Sequence, residues 1–254
     1  AGQVLFTAEQ IHDGQNVWQS MGGQQVGSVW GHGAYVAPDW SADWLHREAV
    51  WLLDHWAKAQ GKSSFSSLDS GVKASLKDRL QRELRTNTYD PITGDLIVSE
   101  DRMKAIEAVA LHYKSLFGDH PDFEKLRQAY AIPSNSLKSD DRKSLLTAFF
   151  FWASWACVTN RPGSEVTYTN NWPPEELVGN RPTGSTVVWS VISFVLLLAG
   201  IGALAWYYVS QRREESENPL PEHDPLLASS PTPSMKATLK YFWVVCALIV
   251  VQII

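Results

Sequence analysis

The chain has few cysteines and no concentration of positive charge. Its two cysteines, Cys157 and Cys246, lie far apart and each within an apolar run, which excludes a disulfide framework and a cysteine-based zinc site. The formal net charge is −5 and no basic stripe occurs, so a nucleic-acid-binding surface is excluded. No nucleophile and base in a recognisable context, no phosphate-binding loop and no paired metal-ligand histidines are present, so the sequence offers no catalytic residues.

The two ends of the chain lack the features of natural termini. No initiator methionine or apolar leader precedes Val4. The uncharged apolar run from Tyr241 to Ile254 is shorter than the roughly 20 residues that a membrane span needs. We therefore expect the chain to be a piece of a longer polypeptide that is cut inside a second membrane helix.

One apolar run is long enough to cross a membrane. It extends without a charge from Thr186 to Val209, with Trp189 near one end and Trp206 near the other, as expected at lipid interfaces. The segment after this run carries several basic residues, which the positive-inside rule places in the cytoplasm. These residues are Arg212, Arg213, Lys236 and Lys240. The region before the run is therefore predicted to lie outside the cytoplasm.

The N-terminal region is predicted to be mainly α-helical. Polar residues that favour helix starts precede segments with apolar residues at helical spacing. In one of these segments Val72, Leu76, Leu80 and Leu84 form a stripe typical of a core. The stretch from Thr88 to Val98 has the turn residues of a short hairpin. The predicted helix starts are Thr7, Asp39 or Ser41, Asp69, Ser99 and Ser139, with a shorter helix over Pro121 to Tyr130.

A glycine-rich stretch from Trp30 to Trp40 is the most distinctive motif of the chain. Gly31 and Gly33 flank His32, where we expect either a positive φ or a close approach of the backbone to another group. The helix that follows, to about Gln60, carries large apolar residues on one side. Such a loop is typical of a binding site. The apolar residues of the helix are Trp40, Trp44, Leu45, Leu52 and Trp56.

This stretch resembles the periplasmic region of the quinol-dependent, single-chain nitric oxide reductases. Their N-terminal region resembles the cytochrome c subunit of two-subunit enzymes, in which a C-x-x-C-H haem motif precedes a G-E-G-A-Y-x-A-P run. Residues 31–40 match the second half, with His32 in place of the acid, but residues 21–27 contain no cysteine. Further similar stretches occur at residues 159–163, 167–175 and 231–238.

The resemblance implies a fold and a domain organisation. Residues 1–184 would form a periplasmic, cytochrome c-like helical domain that lacks haem c. Residues 185–210 would form a transmembrane helix, residues 211–240 a cytoplasmic linker, and residues 241–254 the start of a second transmembrane helix. The protein would lie in the bacterial inner membrane.

The resemblance also implies an activity and its cofactors. The full-length enzyme would reduce two nitric oxide molecules to nitrous oxide and water with electrons from quinol. Its haem b and non-haem iron would be held by histidines and a glutamate on membrane helices of the same polypeptide beyond Ile254. This piece would act as a lid and would hold part of a calcium site. By its position in the motif, Gly33 would supply a backbone carbonyl to calcium and Tyr35 its side-chain oxygen.

Alternative interpretations remain open from the residues alone. Gly33 could turn the loop and Tyr35 could pack beneath the helix, without a metal. The chain could also be a stand-alone membrane-anchored binding or sensor module, or a haemless scaffold that docks an electron donor. Small residues at Ala199, Gly200, Gly202 and Ala203 favour a helix partner in the membrane, such as a second copy of the chain. The histidines are scattered and predict no common site, since His46 and His55 differ in direction on one helix.

Overall fold

A computed structural model describes residues 4–31, 34–169, 175–180, 184–217 and 230–253. The chain divides into two compact units, Ala1–Val187 and Val188–Ile254. The first unit contains six α-helices within the described residues: α1 (Ala8–Ser20), α2 (Trp40–Ala59), α3 (Ser70–Arg85), α4 (Glu100–Leu116), α5 (Glu124–Ala129) and α6 (Asp140–Val158). Short 3-10 turns cover Gly23–Val26, Phe65–Ser67 and Pro121–Phe123. In the described part of the chain β-structure is limited to isolated bridges, which confirms a mainly α fold.

The helix starts follow from local capping chemistry. Thr7 and Gln10 form a capping box at the start of α1, and the side chains of Asp39, Ser99 and Ser139 each accept the amide hydrogen of the residue three positions on. These starts confirm the sequence predictions. Asp69 precedes α3 as predicted, although its side chain makes no capping hydrogen bond. At the other end, α2 stops at Ala59, close to the predicted end at about Gln60, and Gly61 adopts a left-handed φ of 73° just beyond it.

Helix α6 lies at the centre of the first unit. Its sequence is apolar on almost every side, and most of its residues from Leu146 to Val158 are buried because α1, α2 and α4 pack around it. Two apolar clusters result. One contains the aromatic residues of α2, α4 and α6, and the other contains the inner faces of α2 and α3, including the predicted stripe of Leu76, Leu80 and Leu84.

The predicted hairpin between α3 and α4 is present in a minimal form. Tyr89 and Leu96 form an antiparallel bridge, and the amide of Asp90 donates to the carbonyl of Asp95 at 2.8 Å. The amide of Gly94, whose φ is 78°, donates to the carbonyl of Asp90 at 2.8 Å. Only one bridge forms, so the segment is a turn that connects two helices rather than a sheet.

The second unit contains two helices, α7 (Gly184–Glu217) and α8 (Pro233–Ile253). Among the described residues, one helical segment, Gly184–Arg212, is long and apolar enough to cross a membrane. Both helices extend into the predicted linker of residues 211–240. Helix α7 continues past residue 210 because its polar end consists of good helix formers. Helix α8 begins before residue 241 because Pro233 suits the first helical position. The Thr232 hydroxyl caps this helix by accepting the Met235 amide hydrogen at 3.3 Å. That residues 241–254 begin a second transmembrane helix stays a prediction.

The contact between α1 and α6 requires a glycine at position 14. Gly14 is buried, and a Cβ atom added there would lie 2.1 Å from the carbonyl oxygen of Leu145 and 2.8 Å from the Cβ of Phe149. Both neighbours belong to another helix, and one is backbone. The two helices would therefore have to separate to accept even a methyl group.

We expect Gly14→Ala to lower the free energy of unfolding by about 2–3 kcal/mol, because overpacking outweighs the gain in helix propensity. Gly71→Ala in α3 is the matched control, since no atom lies within 4 Å of its added Cβ. It should stabilise by about 0.5–1 kcal/mol. Urea unfolding followed by tryptophan fluorescence measures both. Equal effects of the two substitutions would show that the α1–α6 approach is not tight.

Candidate functional site

The segment of residues 28–41, here called the Asp39 loop, is organised by one buried carboxylate. Of this loop the structure describes residues 28–31 and 34–41. Asp39 is 3% exposed. Its Oδ2 accepts hydrogen bonds from the Ser28 hydroxyl and the Gly31 amide, each at 2.7 Å. Its Oδ1 accepts from the Ser41 hydroxyl and, at 3.0 Å, from the Ala42 amide. One side chain thus caps α2 and fixes both ends of the loop.

The backbone strain of the loop falls on Trp30 rather than on Gly31. Trp30 adopts a φ of 56°, which is rare for a bulky residue. Its amide donates to the Ser41 hydroxyl at 3.2 Å, and its indole nitrogen donates to the Ala153 carbonyl at 2.8 Å. Gly31 lies outside the left-handed region, so the first of the two predicted alternatives, a positive φ, does not occur there. The second, a close approach of the backbone to another group, is confirmed, because the Gly31 amide donates to the Asp39 carboxylate at 2.7 Å.

The glycine that a close approach requires is Gly27. Its φ is 123°, and a Cβ added there would lie 2.1 Å from the indole nitrogen of Trp40. That nitrogen donates to the Val26 carbonyl at 3.1 Å, and the indole nitrogen of Trp18 donates to the Gly27 carbonyl at 3.3 Å. Two indoles from α1 and α2 therefore hold the segment that precedes the Asp39 loop. This role of Gly27 was not predicted from the sequence, although three glycines at positions 22, 23 and 27 indicate an unusual backbone.

An aromatic cluster fills the interior beneath the loop. Trp40 is fully buried, and four aromatic rings have centroids within 6.0 Å of its own. Trp44 stacks on Tyr113 at 5.3 Å. Burial, together with the nearby charge of Asp43, raises the pKa of Tyr113 well above its usual value, so its hydroxyl stays protonated and donates to Asp43 at 2.6 Å. The rings around Trp40 are Tyr113, Phe117, Tyr130 and Phe150.

The buried thiol next to the loop is chemically inert. Cys157 on α6 is fully buried, and burial raises its pKa to about 12, which a hydrogen bond with Ser41 only partly offsets. A thiol with such a pKa is neither a nucleophile nor a metal ligand at neutral pH. Cys157 therefore packs beside the Asp39 loop without taking part in chemistry.

The two predicted calcium ligands differ in what the structure reveals. Gly33 lies outside the described residues, as does His32. Tyr35 is fully exposed at the tip of a turn in which the Ala34 amide donates to the Ala37 carbonyl at 3.0 Å. No group of three or more His, Cys, Asp or Glu side chains able to hold a metal occurs in the described part of the chain. That Gly33 and Tyr35 bind calcium stays a prediction.

A groove between α2 and α4 brings together three histidines that appear scattered in the sequence. It has a volume of about 450 Å³ and is lined by His46, His55 and His112 together with Trp51. His46 Nδ1 lies 2.9 Å from the Glu175 carboxylate, and His55 Nε2 lies 3.4 Å from the Asp101 carboxylate. Burial lowers the pKa of His112 to about 4, so it is neutral. The three rings share a groove without forming a metal site.

We expect Asp39→Ala to lower the free energy of unfolding by about 2–4 kcal/mol, since it removes a helix cap and the acceptor of three further hydrogen bonds. Asp69→Ala is the matched control at a helix start without a capping hydrogen bond. It should cost at most about 0.5 kcal/mol. Denaturant unfolding of the two variants provides the comparison, and equal losses would contradict the organising role of Asp39.

Comparison with known proteins identifies a family for this chain. A search of curated proteins finds no relative of the chain. The family that matches is the cytochrome c-like domain of the NorB subunit of nitric oxide reductase, and the match covers residues 1–174, which is more than half of the 254 residues. This range contains the Asp39 loop, the aromatic cluster and all six helices of the first unit. The chain therefore belongs to the NorB family of nitric oxide reductases and carries its cytochrome c-like domain.

Proposed function

We propose that this chain is part of a quinol-dependent nitric oxide reductase, in which residues 1–184 form a periplasmic lid that carries no haem c. Family membership makes the protein an oxidoreductase of the nitric oxide reductase type. The single candidate span that the described residues contain after the domain supports a membrane protein. Beyond family membership, we propose the identity of the electron donor, the role of the domain and the side of the membrane on which it lies.

The interior of the domain supports quinol as the electron donor. Covalent attachment of haem c needs two cysteines in a C-x-x-C-H motif, and residues 21–27 contain none. The indoles of Trp18 and Trp40 instead bond to the backbone of Val26 and Gly27. Bulky rings occupy the core around Trp40, and these rings would stabilise the fold without a covalently attached cofactor. Electrons would then enter within the membrane part, where quinol is dissolved.

The catalytic centres would lie outside this segment. We place haem b and the non-haem iron on membrane helices that follow residue 254, as the family resemblance implies. The basic residues after α7, among them Arg212, favour a cytoplasmic position for that end of the helix and a periplasmic position for the domain. The small residues near Gly200 provide a face on which a second copy could pack.

We further propose that the tip of the Asp39 loop contributes to a calcium site between the domain and the catalytic part. Calcium prefers oxygen ligands such as carbonyl groups. By motif the ligands are the Gly33 carbonyl and the Tyr35 hydroxyl. The full exposure of Tyr35 supports this role, because a tyrosine that merely packed beneath the helix would be buried.

The electron donor is tested on the purified full-length membrane enzyme. We expect nitric oxide consumption with a reduced quinol and none with reduced cytochrome c, and we expect acid–acetone extraction to remove all haem. Haem that resists extraction, together with activity from cytochrome c, would overturn the proposal. Absence of nitric oxide consumption with either donor would favour a membrane-anchored binding module.

The calcium role is tested by Tyr35→Phe in the same enzyme. We expect lower calcium content and lower nitric oxide turnover, with turnover at least partly restored at high calcium, because only one ligand is lost. Tyr89→Phe is the control, since Tyr89 is also exposed but lies in the hairpin between α3 and α4. Unchanged calcium content and unchanged turnover in Tyr35→Phe would refute the calcium role and leave the quinol proposal intact.

A further inference from the structure

Two aromatic side chains in the interior of the domain each donate a hydrogen bond to a carboxylate. The hydroxyl of Tyr113 on α4 donates to Asp43 at 2.6 Å, and the indole nitrogen of Trp44 on α2 donates to Glu48 at 3.0 Å. Tyr113 and Trp44 are buried, and so is Glu48. Apolar side chains would fill the same space without burying a carboxylate, so packing alone does not account for these two pairs.

The rings of Tyr113 and Trp44 are stacked. Their planes differ by 2° and their centroids lie 5.3 Å apart. Tyrosine and tryptophan can each lose one electron, and the oxidised ring then becomes a strong acid that must lose its proton. A carboxylate at hydrogen-bond distance accepts that proton inside the protein. The phenylalanine rings of the cluster have no such proton, and Trp40 donates to a backbone carbonyl, which is a poor base. Oxidation is therefore most favourable at the stacked pair.

Arg47 provides a place for the positive charge that oxidation leaves behind. Its guanidinium donates to both oxygens of Asp43, at 2.8 and 3.2 Å, and its side chain is 29% exposed. The two charges of this pair cancel until the proton of Tyr113 moves to Asp43. The remaining charge then lies on Arg47, in contact with water, rather than on a buried ring. An oxidised phenol is so strong an acid that a carboxylate paired with arginine still accepts its proton.

A row of rings connects Tyr113 to the surface. The centroid of the Trp40 ring lies 6.0 Å from that of Tyr113 and 6.0 Å from that of Tyr130. Tyr130 directly follows α5 and is half-buried, so its ring reaches solvent. An oxidant in solution cannot contact Tyr113, but neighbouring rings allow an electron to move outward in short steps. Tyr130 is thus the point at which the interior can exchange an electron with a small molecule.

We propose that the interior of the domain reduces small oxidising radicals, with Tyr113 as the electron donor, Asp43 as the proton acceptor and Tyr130 as the contact with solvent. The radical is of the class of nitrogen dioxide, which forms where nitric oxide meets dioxygen. Nitrogen dioxide gains one electron and becomes nitrite. The O–H bond of Tyr113 breaks, a neutral phenoxyl radical remains, and the proton forms a new O–H bond on Asp43.

A one-electron reductant such as ascorbate completes the cycle. It returns an electron to Tyr113, and the proton moves back from Asp43. This activity goes beyond the proposed function and is independent of the quinol and calcium proposals, because every group that it uses lies in the described part of the first unit.

The electron donor is tested by pulse radiolysis of the full chain in detergent micelles. Nitrogen dioxide is generated in the pulse, and the absorption of the phenoxyl radical is followed with time. We expect a long-lived radical, because the buried Tyr113 is shielded from a second radical. Tyr113→Phe should lower the amplitude of this signal about tenfold or more, since it removes the hydroxyl. Thermal unfolding of the variant shows whether it is folded.

Tyr89→Phe is the matched control, because Tyr89 is exposed in the hairpin between α3 and α4. This variant should keep the long-lived signal. A long-lived radical of equal amplitude in Tyr113→Phe, or its absence from the unchanged chain, would overturn the proposal. Tyr130→Phe should slow the appearance of the signal, and an unchanged rate would overturn the assignment of Tyr130 as the contact with solvent.

The proton acceptor is tested by Asp43→Asn, which leaves Tyr113 in place. We expect the long-lived radical to fall about tenfold, because an amide oxygen accepts a hydrogen bond but not the proton itself. Asp54→Asn on the same helix is the control, since Asp54 accepts the Phe65 amide at 2.8 Å rather than a ring proton. Equal radical amplitudes in the two variants would overturn the role of Asp43.

Discussion

The structure of the domain depends on the buried carboxylate of Asp39. A buried carboxylate is costly unless several donors satisfy it, and Asp39 has four: two hydroxyls and two backbone amides. These donors come from both ends of the loop and from the first turn of α2. The same atoms therefore start the longest helix of the domain, hold Trp30 at a φ of 56° and set the base from which Tyr35 projects. A neutral side chain could not satisfy all four groups.

The aromatic interior explains how a cytochrome c-like fold can be stable without a covalently attached haem. Rings that contact each other edge to face or in stacks supply large buried areas with fixed geometry. The indole of Trp44 donates to Glu48 at 3.0 Å, and Glu48 pairs with Arg102 at 2.8 Å, with both charged side chains almost fully buried. Removing either member of this pair would leave an uncompensated charge between α2 and α4.

Helix α6 contacts two separate segments of the domain. Near its middle, Ala153 accepts the indole of Trp30, and at its end Trp155 stacks on Tyr168. The Asp39 loop and the segment of residues 160–169 therefore both pack against one buried helix.

The sequence by itself determined the class of the fold, the helix starts and the membrane-spanning run. These features depend on local chemistry, such as capping at Thr7 and Ser99, the stripe from Leu76 to Leu84 and the apolar length of α7, so they follow from neighbouring residues. The family resemblance rested on residues 31–40 and is confirmed at the level of the NorB family. The polar ends of α7 and α8 were predicted to be part of a linker. A charged helix outside the membrane carries no run of apolar residues from which it could be recognised.

Only the tertiary structure decided at which position a glycine is required and which distant residues contact one another. Gly31 looked like the turn residue, but a distant indole, that of Trp40, makes Gly27 the crowded position. Likewise, the separation of His46 from His55 along α2 gave no sign that His112 of α4 lies in the same groove. Arg85 contacts both Asn160 and Gly179, and these contacts join three distant parts of the chain. Such contacts depend on how whole helices pack, and helix packing is set by the sum of many side chains rather than by any local pattern.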